Sequence, residues 1–335
     1  MTKKTSLRSA ITIVFVTAII VSIATRSKTA SEEATSTLAQ TQSWYDGTIK
    51  VHLVALDMAP MFVAKEAGYF AEELDVETVF FSNPDNNAAL AGDLQFHINP
   101  FTLPFLAQNQ LPMRIISSAL EIIEVVVQGK HNIESIALEN YVTQNPNKKF
   151  RIGTLKGDTL DMIIYKTLQE KLSYDDFEMI RFNDLLAMVQ AFQSEQIDIL
   201  SHIKPYTTDL VINHDAVVLT NNDSARGEAT PNTTTVVMEN FAKKYPETVK
   251  AYLRAQKKFE LIVNHPERAL ALLEKGNYYR VPSDVLLSAL KTQKKVILQP
   301  NVSMIQAIED MVSQYIDPVD EHVIDLSFLQ ELAIS

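Results

Sequence analysis

The chain has 335 residues, of which 46% are hydrophobic and 21% charged, with a formal net charge of −11. This is a globular composition, and the length suits two cores better than one. The acidic balance leaves no basic stripe to neutralise phosphates, so no nucleic acid is expected as a partner. There is no cysteine, which excludes disulfides, thiolate metal sites, a catalytic thiol and a lipidated N-terminal cysteine.

Lys3, Lys4 and Arg8 precede an apolar run from Ala10 to Ala24, interrupted by Thr12, Thr17 and Ser22. This run is shorter than the roughly 20 residues that span a bilayer, and Ser22-Ile23-Ala24 offers a small-x-small cleavage site. Residues 1–24 are therefore expected to be an export signal, with a retained N-terminal anchor as the alternative. The Ser/Thr/Ala-rich residues 25–48 read as a flexible tether.

From there one pattern is stated twice. Ile49–Leu56 reads as a strand covered on both faces, Met61–Phe70 as a short helix closed by Gly68, and Val76–Phe81 as a second strand. A capped helix over Ala88–Ala91 and a strand over Leu94–Ile98 complete a β-α-β-α-β unit ending at Pro100. Arg114–Ser118 and Ile122–Val127 are further strand candidates. The second unit opens with FRIGTLKGD at Phe150, continues through FEMIRF at Phe177–Phe182 and ends at Pro205. Val236–Met238 reads as a returning strand, followed by helices starting at Glu239, Pro246, Pro266 and Ser283.

The expected fold class is α/β in two lobes, with a ligand cleft between them. Lobe 1 is assigned residues 49–128 and 227–335, and lobe 2 residues 129–226. Crossings near Gln128–His131 and Asn221–Gly227 would form the hinge, and the C-terminal helices would pack outside lobe 1.

Candidate ligand contacts come from the loops after strands, where open α/β sheets place their ligands. Asp57 and Met58 follow the first strand. Asn99, which can donate and accept, and Phe101, which can stack on a planar ligand, follow the third. Thr154, Lys156, Gly157, Asp158 and Thr159 lie where a strand gives way to a helix start whose N–H groups suit an anion, although Asp158 or Thr159 could equally serve as a helix cap. The Gly-x3-Gly spacing is not that of a Walker A loop. Lys204 offers a countercharge and Tyr206 a wall, while Arg226, Thr230 and Asn232 lie on the return crossing. The seven histidines are scattered without ligand spacing, so neither a metal nor another cofactor is expected. No Gly-x-Ser-x-Gly elbow marks a hydrolase, and no catalytic residue is assigned.

MAPMFVAKEAGYFAEELDVETVFF, AALAGDLQFHINP, RIGTLKGDTLDMII, AFQSEQIDIL and ENFAKKYPETVKAYLRA, in that order, resemble the periplasmic substrate-binding proteins of ATP-driven importers for nitrate, sulfonates, taurine and thiamine-pyrimidine precursors. The resemblance implies a type II periplasmic-binding-protein fold. It also implies a monomeric receptor outside the cytoplasm with a small-molecule ligand and a membrane permease as partners. Where many members carry a Trp-Asp-Pro-Tyr-like stretch, this chain has His202-Ile203-Lys204-Pro205-Tyr206, which keeps Pro and Tyr but leaves the ligand class open. The cysteine-rich segment of the pyrimidine-synthase relatives is absent, so their self-consuming chemistry is not implied. An enzyme or stand-alone sensor on the same scaffold is the alternative reading.

Overall fold

Two five-stranded mixed sheets carry the fold of this computed structural model, which describes residues 44–53, 59–82, 94–98, 112–119, 123–133, 143, 148–155, 160, 163–164, 168, 173, 176–226, 233–258, 264–292 and 324–334. In chain order the elements of the first sheet and its helices are β1 (Ile49–Leu53), α1 (Ala59–Glu66), α2 (Tyr69–Leu74), β2 (Thr78–Ser82), β3 (Phe96–Ile98) and β4 (Met113–Ala119). The chain then enters the second sheet with β5 (Ile123–Gln128), β6 (Phe150–Leu155), β7 (Phe177–Phe182), α3 (Leu185–Gln193), β8 (Ile199–Ile203), α4 (Tyr206–Asn213), β9 (Ala216–Asn221) and α5 (Asn222–Arg226). It returns with β10 (Thr233–Met238) and closes with α6 (Glu239–Lys244), α7 (Pro246–Lys258), α8 (Pro266–Gly276), α9 (Ser283–Lys291) and α10 (Ser327–Ile334).

The first sheet has the order β2-β1-β3-β10-β4 and the second β7-β6-β8-β5-β9. In each, the three strands of the repeated unit run parallel, and the neighbouring strand, β10 or β5, is antiparallel to them. Both sheets thus have the same internal order, as the sequence repeat requires.

The first helical stretch differs from its expected form. α1 starts two residues before Met61 and ends at Glu66, and a second helix starts at Tyr69. Gly68 between them has φ +80°, a conformation that glycine adopts at little steric cost.

A correction concerns the first crossing. It falls between Ala119 and Ile123, not at Gln128–His131, because β5 pairs with β8 and β9 and is buried along its whole length. Lobe 2 therefore begins near Ile123. Gly129, the cue for a crossing, instead marks the far end of β5, where its N–H donates to Asp215 O at 2.7 Å and a Cβ would run into that backbone. The return passage lies between Arg226 and Thr233.

Amphipathicity seats α7. Val249, Tyr252, Leu253 and Gln256 are buried at helical spacing, while Arg254 and Lys258 reach Glu73 at 2.7 Å each. Tyr252 stacks on Phe96 of β3 with centroids 3.8 Å apart. Buried Gln256 accepts from Ser117 Oγ at 3.1 Å and donates to Thr235 Oγ1 at 3.0 Å, so its amide is satisfied where an unpaired one would be costly. In the second sheet, Asp198 just before β8 accepts from Arg151 Nε at 2.9 Å and meets His131 Nε2 at 3.1 Å. Burial opposes the Asp198 charge, but the Arg151 hydrogen bonds and charge outweigh it and hold the carboxyl below its usual range.

The expectation that the C-terminal helices all pack outside lobe 1 needs a second correction. α7, α8 and α10 belong to the layer around α1 and α2, but α9 packs on α8 and also on α4 of lobe 2. The reason is the turn after α8. Asn277 takes φ +52°, and Gly276 leaves room for the Tyr278 ring to fold back over the helix end. This reversal sends α9 across to the other lobe.

Candidate functional site

Among the described residues, two parallel strands pass directly into helices, β7 into α3 and β8 into α4, both in lobe 2, and the candidate contacts lie at the end of β8. His202, the penultimate residue of that strand, is fully buried. Its Nε2 donates to Leu185 O at 3.0 Å and its Nδ1 accepts from Ile203 N at 2.9 Å. Both nitrogens are thus used by a neutral ring, and burial pushes its pKa down to about 4.

Lys204 follows. Its ammonium lies 3.3 Å from Glu124 Oε1 at the start of β5 and donates to Thr292 Oγ1, just past α9, at 2.9 Å. The other Glu124 oxygen accepts from Thr207 Oγ1, in the first turn of α4, at 2.5 Å. The expected countercharge is therefore engaged within the protein. A carboxylate next to the first crossing holds it, with a hydroxyl of the C-terminal layer.

Tyr206 opens α4 and is buried, edge-on to His202 with centroids 5.2 Å apart. Tyr206 also meets Tyr279, at 6.4 Å, which in turn lies 6.4 Å from Phe62 of α1. Phe62 stacks on Tyr278 at 4.0 Å with the rings 10° from parallel. Tyr278 Oη donates to Glu66 Oε1 at 2.8 Å, and this bond, foremost among the causes, holds the Glu66 carboxyl below its usual range.

Thr154 lies in the body of β6, not in the turn after it. It is fully buried, and its Oγ1 has no hydrogen-bond partner among the described residues. The β6–β8 register pairs Gly153 with Leu200, so Ser201 is the next residue along β8, and its buried Oγ is likewise without a partner among the described residues.

The structure thus brings Lys204 and Tyr206 together and places Thr154 one strand away. Asp57, Met58, Asn99, Phe101, Lys156, Gly157, Asp158, Thr159 and Thr230 lie outside the described residues, as does Asn232. Arg226 ends α5. Glu124, Phe62, Tyr279 and Thr292 escaped the sequence reading. Glu124 alone carried a signal, as a single acid inside an apolar strand, which calls for a buried partner. Among the described residues no cluster of His, Asp or Glu could hold a metal ion, and no helix is long and apolar enough to cross a membrane.

Two mixed α/β sheets of matching strand order, between which the chain passes twice, define the two-lobed periplasmic-binding-protein class of fold. Solved structures bear this out. The alkanesulfonate-binding protein SsuA of Xanthomonas axonopodis pv. citri, solved bound to MOPS, is 13% identical, with a TM-score of 0.67 over 84% of this chain and 98% of that one. A ligand-binding component of an ABC-type import system from Staphylococcus aureus, solved with zinc bound, is 15% identical, with a TM-score of 0.70 over 87% and 100%. The periplasmic nitrate-binding protein NrtA of Synechocystis is 14% identical, with a TM-score of 0.67 over 86% and 88%. The profile of the NMT1-like family matches residues 48–274, and the chain belongs to that family. No curated protein sequence matches it.

Proposed function

We propose that this protein is the extracytoplasmic solute receptor of an ATP-driven importer, closing its two lobes on a small polar or anionic organic solute. The observation that carries the reading is the NMT1-like match, which runs through both sheets and both crossings. The sulfonate and nitrate receptors that share the fold favour a sulfonate or nitrate ligand, and a thiamine-pyrimidine precursor is the other ligand class considered. In this reading residues 1–24 export the chain or anchor it, a membrane permease is the partner, the receptor acts as a monomer, and no covalent chemistry occurs.

The ligand would be held by the loops at the strand ends: Asp57 and Met58, Asn99 and Phe101 from lobe 1, and Lys156 to Thr159 with Lys204 and Tyr206 from lobe 2. A solute that touches both lobes favours the closed state by its differential affinity, which is the signal a permease can read. Such a ligand at a hundred times its Kd stabilises the protein by about 2.7 kcal/mol. Thermal unfolding with MOPS, taurine, ethanesulfonate, nitrate and aminopyrimidines should therefore show a rise in Tm that saturates, with the solute recovered unchanged. A flat response to all of them would overturn the assignment of ligand class.

A further inference from the structure

The geometry points to Tyr279 as a positioning residue that couples the two lobes through the turn between α8 and α9. α1 follows β1 of lobe 1 and α4 follows β8 of lobe 2 along the chain, so whatever ties these helices together also sets how the two lobes face each other. One aromatic series does so. It runs from His202 through Tyr206 of α4 and Tyr279 of the turn to Phe62 of α1, at centroid separations of 5.2, 6.4 and 6.4 Å. Phe62, Tyr206 and Tyr279 are all buried, so the series is a packed contact. At such distances tilted and edge-on rings attract one another beyond the area they bury.

Tyr279 is held in place from its own side. Tyr278 beside it stacks on Phe62 and is tethered to Glu66, itself 3.2 Å from Lys275. This half of the turn is fastened to lobe 1. The other half reaches lobe 2 through α9 on α4 and through the Lys204–Thr292 hydrogen bond. The turn therefore acts as a strut between the lobes in addition to the two chain crossings, with Tyr279 at its centre. Packed contacts of this kind have discrete arrangements and resist continuous deformation, so losing one ring releases the setting of the lobes.

The inference rests on the receptor reading for its purpose, but its test needs no ligand. In the otherwise cysteine-free full chain, Ala71→Cys on α2 and Glu178→Cys on β7 accept spin labels at exposed sites on opposite lobes. Electron–electron distance measurement of the ligand-free protein should give a longer or broader inter-lobe distribution for Tyr279→Ala, and for the bulkier Tyr279→Leu should Tyr279→Ala fail to fold. Tyr279→Phe should restore the parent distribution. Tyr206→Leu should reproduce the Tyr279→Leu change without adding to it in the double variant. Distributions of folded Tyr279→Leu and Tyr206→Leu that overlay the parent would reduce the series to local packing and overturn the proposal. A parent that binds no sulfonate or nitrate would overturn the ligand reading and leave this result untouched.

Discussion

His202 shows how burial decides the state of one residue. Its folded pKa of about 4 lies below the ordinary value of 6.5, so between these values the unfolded chain binds more protons and stability falls as pH falls. His202 contributes in full above about pH 6.5 and loses on the order of 3 kcal/mol by pH 4. Denaturant unfolding from pH 7 to 4 should be steeper in pH for the parent than for His202→Asn, and parallel curves would refute this. Lys204 and Glu124 form a pair with side chains 20% and 11% exposed, so removing one end strands the other. Lys204→Met should cost about 3 kcal/mol in stability, measured by urea unfolding. Thr154→Val tests a different possibility. Its hydroxyl makes no hydrogen bond among the described residues, so the isostere should fold with equal or greater stability. Calorimetry with a ligand found in the thermal screen then separates the roles, since weaker binding in this stable variant would assign the hydroxyl to the solute.

Among the elements, α7 and the α8–α9 turn were legible to different degrees. The periodicity of α7 was plain, and Tyr252 is its most deeply committed residue, stacked on Phe96 and fully buried. Tyr252→Ala should destabilise by about 3–5 kcal/mol in chemical unfolding, because the site cannot collapse around so large a void. The turn after α8 had helix-stop chemistry in Gly276 and Asn277, but its direction depends on where the Tyr278 ring lies. Gly276→Ala would drive a methyl into that ring. The expected cost is about 1–3 kcal/mol, with loss of the Phe62–Tyr278 stack read from the near-ultraviolet circular dichroism of the folded variant.

For the whole molecule, two sheets of matching order linked by crossings at Ala119–Ile123 and Arg226–Thr233 make rotation of one lobe against the other the natural large motion. Small-angle scattering should show compaction on adding a solute that raises Tm, and no change at saturation would count against closure. Fractionation of the source cells should find the chain outside the cytoplasm. A full-length soluble cytoplasmic protein would refute export.

The duplicated strand and helix pattern, the apolar strands β5, β6 and β8, and the proline-marked starts of α7, α8 and α9 could be read from local sequence. Each is a matter of side-chain period and backbone chemistry over a few residues. Two-lobed α/β architecture followed from them, as did Lys204 and Tyr206 as rim residues. The lobe to which β5 belongs did not follow, because its apolar face of Ile123, Val125 and Val127 would suit the interior of either sheet. Only its pairing with β8 and β9 settles the matter. Nor could the sequence join Glu124 to Lys204, or Tyr279 to Phe62 and Tyr206. These residues are 80, 217 and 73 positions apart along the chain. Such partners are chosen by how the helices pack across the sheets, through contacts that no local period encodes.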